Sequence, residues 1–146
     1  MVTTDDPRTA RVIALFEGLT PADLTRLGEF YAPQAKFKDP FNEVQGVAQI
    51  EAIFEHMYRS LEQPHFYVTE RVLQGRQCFL VWDFRFRFQR FSPAQWQTVH
   101  GSSHLRFDDQ GLVEYHRDYW DAAQELYEKL PAVGTLMRWL RRQAMR

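Results

Sequence analysis

Three titratable residues could do chemistry together in this chain: Asp39, His116 and Asp118. His116 and Asp118 lie two apart in Glu114-Tyr115-His116-Arg117-Asp118-Tyr119-Trp120-Asp121, a stretch rich in β-favouring residues with Gly111 as turn punctuation just upstream. Side chains alternate along a strand, so Glu114, His116, Asp118 and Trp120 share one face, and Tyr115, Arg117 and Tyr119 the other. Two positions on one strand face stand roughly 6–7 Å apart, close enough for Asp118 to hydrogen-bond His116, fix its tautomer and favour its protonated form. A core strand carries Glu, His and Asp on one side only when they have partners. Titratable groups beside Trp120 therefore suggest the wall of a polar-lined pocket. Asp39, extended before Pro40, is the third group. Desolvation among aromatics would raise its pKa towards neutrality, the range a general base needs. The plain alternative is a carboxylate that accepts backbone hydrogen bonds in the turn beside Pro40.

The elements that must position these groups read as follows. Pro7 opens a helix with the stripe Val12, Ile13, Leu15, Phe16 and Leu19. Thr20 and Pro21 start a second, with Leu24, Leu27, Phe30 and Tyr31 as its buried side and Pro33 as its end. Residues 35–40 read as a short strand. Residues 46–61 form a helix with Ile50, Ile53, Phe54, Met57, Tyr58 and Leu61 on its apolar side, closed by Pro64. Strands follow at 66–73, 78–88 and 95–107. Cys78, Leu80, Trp82, Phe84, Phe86 and Phe88 alternate against Asp83, Arg85 and Arg87, and Val99, Gly101, Ser103, Leu105 and Phe107 share a face. Asp108-Asp109-Gln110-Gly111 is a hairpin turn leading into the strand of His116. Asp121 caps a further helix to about residue 130, and Pro131 and Gly134 precede a basic amphipathic tail. The expected organisation is one α+β domain over residues 1–130, a curved antiparallel sheet with helices on its concave face, and a helical extension over 131–146.

Composition narrows the function classes. A length of 146 residues suits about one domain with a real core. Aromatic content of 15%, with 12 phenylalanines, favours a core able to enclose a roomy apolar cavity. The net charge of −1 gives no reason to expect nucleic-acid binding. Cys78 is the single cysteine, expected to be an inert core thiol, so no internal disulfide or cysteine-rich zinc site can form. His100 and His104, about 13 Å apart on a strand, do not share a metal. No glycine-rich phosphate loop, nucleophile elbow or metal-ligand motif is present, so no cofactor or metal is expected. With no signal peptide or transmembrane run visible, a cytoplasmic protein is the default.

Several anchors carry a resemblance over nearly the whole chain: Phe30-Tyr31-Ala32-Pro33, Phe37-Lys38-Asp39-Pro40-Phe41, Gly46 ahead of its helix, the Phe107-to-Gly111 hairpin and Asp118-Tyr119-Trp120-Asp121. Together they resemble the SnoaL-like, nuclear-transport-factor-2-like cone fold shared by ketosteroid isomerases, polyketide cyclases, epoxide hydrolases, dehydratases and non-catalytic binders. The resemblance implies that Asp39 lies at a cavity. It also implies that His116, Asp118 and Trp120 face inward with Gly101, Ser103, Trp82, Phe84 and Phe86, while Tyr31 and Tyr58 project from covering helices. Ketosteroid isomerases pair a base carboxylate with an oxyanion hole of tyrosine and protonated aspartate. Here Val12 or Phe16 and Ser103 stand at those places. Epoxide hydrolases use an Arg-x-Asp pair where this chain has Trp82 and Phe84. Neither activity carries over as it stands.

The expected function is a cofactor-independent isomerase, cyclase or dehydratase acting on a small apolar carbonyl compound or polycycle. Asp39 would take a proton, and His116, held by Asp118, would return it. The alternatives are a non-catalytic small-molecule binder and an interaction module with a vestigial cavity. Asp83, Arg85, Arg87, His100 and His104 form the polar outer sheet face, through which proteins of this fold often form homodimers. Leu136, Trp139 and Leu140 of the basic tail are expected to pack on the domain or a partner, with contact to an anionic membrane surface as the alternative.

Overall fold

Gly46 shows how this chain sets its cavity wall. Its backbone N–H donates to the Ala35 carbonyl at 2.8 Å and its φ is 98°, a left-handed conformation suited to glycine. This turn launches a long helix directly from the edge of the sheet. The computed structural model describes residues 6–89, 94–127 and 133–145. In chain order they form helix α1 (Pro7–Glu17), a 3-10 helix (Pro21–Glu29), strands β1 (Tyr31–Lys38) and β2 (Glu43–Gln45), and helix α2 (Val47–Ser60). Strands β3 (Leu61–Gln74), β4 (Gln77–Phe88), β5 (Gln97–Phe107) and β6 (Val113–Tyr119) follow, then a short α3 (Ala122–Glu125) and α4 (Val133–Ala144). The strands make one sheet in the order β2-β1-β6-β5-β4-β3, antiparallel except for the β1–β6 pair. The sheet is curved and does not close. The expected α+β architecture is the one observed.

Its concave face meets α1, the 3-10 helix and α2. Leu15, Phe16, Leu24, Leu27, Ile50 and Phe54 from these helices are buried against Leu80, Trp82, Phe86, Leu105 and Phe107 from the sheet. The apolar stripes read from the sequence are the ones that enter this core. Each large side chain removed from water contributes about 1.5–3 kcal/mol.

Four local expectations need correction. Tyr31 does not sit on a helix: the 3-10 helix ends at Glu29 and Tyr31 opens β1, opposite Val113. Val113 N–H donates to the Phe30 carbonyl at 2.8 Å. Pro33 disfavours helix at the preceding residue, and the pairing with β6 takes over. Glu114 does not face inward either. The β5–β6 register passes from Arg106↔Tyr115 to Phe107↔Val113, so Glu114 is the extra residue of a bulge and pairs instead with Arg106 at 2.8 Å. Val113 takes the buried place beside Phe107. The third strand begins at Leu61 rather than Phe66, through an irregularity at Gln63 and Pro64 where Gln63 has a φ of 49°. Finally, of the two packings expected for Leu136, Trp139 and Leu140 of α4, on its own domain or on a partner, the first is not observed, for all three are exposed in the single chain. The break expected at Pro131 lies outside the described residues.

No helix among the described residues is long and apolar enough to cross a membrane.

Candidate functional site

Between α2 and the concave face of the sheet lies a cavity of about 320 Å³. Helix α2 supplies Ile53, Phe54, His56, Met57 and Ser60 at helical spacing. Strand β4 supplies Trp82, Phe84, Phe86 and Phe88, the alternate residues of its aromatic stripe. Phe37 and Asp39 enter from the end of β1, Phe66 from β3, Val99 from β5, and Asp118 and Trp120 from β6 and its exit. Phe41 packs edge-on against Trp120 with ring centroids 5.5 Å apart, and together they border the opening. The wall is overwhelmingly aromatic, and rings interlock along it: Phe66 stacks on Phe84 at 4.4 Å and meets Trp82 edge-on at 5.4 Å.

Behind this chamber runs a chain of hydrogen bonds. The Trp82 indole N–H donates to Ser103 Oγ at 2.9 Å, and the Ser103 hydroxyl donates to Asp118 Oδ1 at 2.6 Å. His116 Nε2 lies 2.6 Å from the same Oδ1, and His116 Nδ1 lies 2.7 Å from the Tyr31 hydroxyl. The links are satisfied when the Tyr31 hydroxyl donates to Nδ1 and Nε2–H donates to Asp118 Oδ1. Burial, with the Asp118 charge as a lesser cause, pushes the Tyr31 hydroxyl pKa well above the usual tyrosine value, which keeps it a donor. His116 is enclosed by Phe16, Tyr31 and Phe37, the Tyr31 ring lying parallel to it at 5.9 Å and Phe37 edge-on at 4.7 Å.

The two ends of this network differ in what they expose. The His116 side chain is 4% accessible and borders only a narrow space of about 20 Å³ shared with Phe16, Phe54 and Trp82. The Asp118 side chain is 16% accessible and borders both that space and the large chamber. Both of its hydrogen bonds fall on Oδ1, so Oδ2 has no hydrogen-bond partner among the described residues. Asp118 is thus the carboxylate that the network aims into the cavity.

Asp39 reaches the same cavity near its opening, but its oxygens are engaged. Oδ1 accepts from the backbone N–H groups of Phe41 and Asn42 at 2.8 and 2.7 Å, and the Asn42 side-chain amide lies 3.1 Å from both oxygens. This geometry is a side-chain-capped turn that joins β1 to β2. Gly101 does not line the chamber; it lies under Trp82, and a Cβ there would fall 2.4 Å from the indole ring. That absence of a side chain lets Trp82 lie flat enough to reach Ser103. Tyr58 is outside the lining. It is half-buried against the core, near Asp23 of the 3-10 helix, and burial, and to a lesser extent Asp23, push its pKa up to about 12. The bond from Tyr31 to His116 left no signal in the sequence, because it joins residues 85 apart through strands whose pairing only the fold reveals. Phe41, Phe88, Met57 and His56 were also missed as lining residues. Helical spacing from Ile53 would have found Met57 and His56.

On the convex face, His100 pairs with Asp83 and His104 stacks on Phe79 at 4.5 Å, as expected for an outward surface. Burial and the neighbouring Arg106 hold the His104 pKa below the usual histidine value. Cys78 is fully buried beside Thr9, and burial pushes its thiol pKa up. No group of three potential metal ligands occurs among the described residues.

A curved six-stranded sheet with helices on its concave face and a cavity between them defines the ketosteroid-isomerase-like, nuclear-transport-factor-2-like class of folds. Solved structures agree. A hypothetical protein of that fold from Catenulispora acidiphila, in complex with trimethylamine, superposes with a TM-score of 0.71 at 17% identity, covering 84% of this chain and 92% of that one. A SnoaL-like polyketide cyclase assignment from Shewanella putrefaciens gives 0.70 at 18% identity, with 84% and 95% covered. TerC, co-crystallised with polyporic acid, gives 0.70 at 16% identity, with 82% and 95% covered. At these identities the likeness establishes the fold alone. The SnoaL-like domain model matches residues 12–116, and the chain belongs to that family. No curated protein matches it.

Proposed function

We propose that this protein binds a small, largely apolar molecule in the aromatic chamber, with Asp118 as the group that exchanges a proton with it. The observation that carries the reading is the free Oδ2 of Asp118, presented to a chamber of about 320 Å³ while Oδ1 is held by Ser103 and His116. A volume at the lower end of ordinary ligand pockets favours a binding site over a vestigial cavity. Asp118 would act as base towards an acidic proton of the ligand and return that proton as acid. His116, backed by Tyr31, would keep the carboxylate oriented through the cycle. His116 is then a positioning residue, and Asp39 a turn cap that shapes the opening. This assigns the reaction, an isomerisation, cyclisation or dehydration without a cofactor, to a different carboxylate from the one favoured on sequence grounds. Two proteins of the same fold hold trimethylamine and polyporic acid, which supports the small-molecule part of the reading.

Native mass spectrometry of the freshly purified protein, followed by turnover assays on what it carries, tests the proposal. Asp118→Asn should lower turnover by at least about 100-fold, the usual scale of a positioned acid–base group. Unchanged turnover in that variant would remove Asp118 from the chemistry. Binding without any turnover would leave a non-catalytic receptor.

A second reading concerns assembly. Tyr67, Val72, Phe79, Val81 and Tyr119 are exposed, and the strand registers place them together on the convex face. Such a patch favours a homodimer through this face. Sedimentation of the native chain and Val81→Glu tests it: a dimer that the variant splits supports the reading, and a native monomer refutes it.

A further inference from the structure

The chamber is unusually one-sided in what it offers a ligand. The donors behind its inner wall are already used internally: Trp82 Nε1–H on Ser103, the Ser103 hydroxyl and His116 Nε2–H on Asp118, and the Tyr31 hydroxyl on His116; at its exposed rim His56 and Ser60 face each other at 3.4 Å and the Asn42 amide is engaged by Asp39. None of the inner donors remains for an anionic or developing-oxyanion ligand. No lysine or arginine lines the chamber among the described residues. Away from that rim, what remains is an acceptor, Asp118 Oδ2, inside a wall that includes Phe54, Phe66, Phe84, Phe86 and Trp120. A carboxylate oxygen desolvated without a donor is costly, and ring faces attract positive charge. Asp39, near the opening, adds a second negative charge on the entry route.

We infer that the physiological ligand is an organic cation, an amine or quaternary ammonium compound on an apolar frame, whose positive charge sits against Asp118. The inference rests on the chamber being a ligand site and adds the ligand's chemical class. A neutral ligand of the same shape without a donor would leave Oδ2 desolvated and without a partner. A cation supplies the missing partner and gains the surrounding rings. The size of the chamber sets the frame at about one ring with a few further heavy atoms.

Three probes separate this inference from the reading beneath it: phenyltrimethylammonium, its uncharged isostere tert-butylbenzene, and phenylacetate. Their dissociation constants would be read from the fluorescence of the native protein. The cation should bind about tenfold or more tighter than the isostere, from the cation–π and ion-pair gain, and phenylacetate should not bind. In Asp118→Asn the ratio of cation to isostere affinity should fall towards one. If the isostere or phenylacetate binds the native protein as tightly as the cation, the inference is overturned while the ligand-site reading survives. If none of the three binds, both fall.

Discussion

Ser103→Ala removes the hydroxyl that joins Trp82 to Asp118, and its cost follows from the geometry. The Trp82 indole N–H loses its acceptor in a buried setting, at about 1–3 kcal/mol, and Asp118 loses one of two donors on Oδ1. Because Oδ2 borders the chamber, water can compensate part of the second loss. The net destabilisation should be about 2–4 kcal/mol, or roughly 6–12 °C in Tm for a chain of this length. A double-mutant cycle with Trp82→Phe isolates the link. In the Trp82→Phe background no indole N–H is left stranded, so Ser103→Ala should cost less, with a coupling of about 1–3 kcal/mol. Denaturant unfolding of the four proteins measures it. Coupling within about 0.5 kcal/mol of zero would mean that the two side chains do not act together, and the argument that this network orients Asp118 would fail.

Other outcomes follow from the same structure. Gly101→Ala should lower stability by about 1–3 kcal/mol in thermal unfolding, because the new Cβ collides with the Trp82 ring. Asp39→Ala should lower Tm by about 3–6 °C, whereas Asp39→Asn, whose amide oxygen can accept the same Phe41 and Asn42 N–H groups, should retain most of that stability; equal losses would indicate that charge rather than turn capping matters. Tyr58 holds its proton up to about pH 12, and Tyr31 holds its own well beyond the usual tyrosine range. Both pKa values are higher folded than unfolded, so their contribution to stability is complete below about pH 10 and is lost as pH rises through the folded values. Phenolate absorbance should show a component near pH 12 that Tyr58→Phe removes, and Tyr31 ionising only with unfolding.

The sequence revealed those features that depend on local periodicity. The apolar stripe of α2 and the strict alternation from Cys78 to Phe88 each define one buried face, and those faces form the chamber walls. Features that depend on register between distant strands stayed hidden. A single bulge turned Glu114 away from the interior and let Val113 replace it. Pairing with β6 drew Tyr31 into a strand and so placed its hydroxyl on His116. Asp39, His116 and Asp118 were all visible as candidates, but their difference in exposure was not. What separates the two carboxylates is which of their oxygens is occupied, and the occupants of Asp118 arrive from Ser103 on the neighbouring strand and from its own strand's His116.

The chain's four tryptophans allow the most direct test of the ligand chamber. Trp82 and Trp120 line it, whereas Trp96 and Trp139 are exposed elsewhere. Indole N–H resonances followed by NMR during titration with phenyltrimethylammonium or tert-butylbenzene report on all four at once. Trp82 and Trp120 should show saturable shifts with whichever probe binds, while Trp96 and Trp139 stay in place. Stationary Trp82 and Trp120 signals at saturating probe, with or without movement of the other two, would contradict the assignment of the chamber as the ligand site.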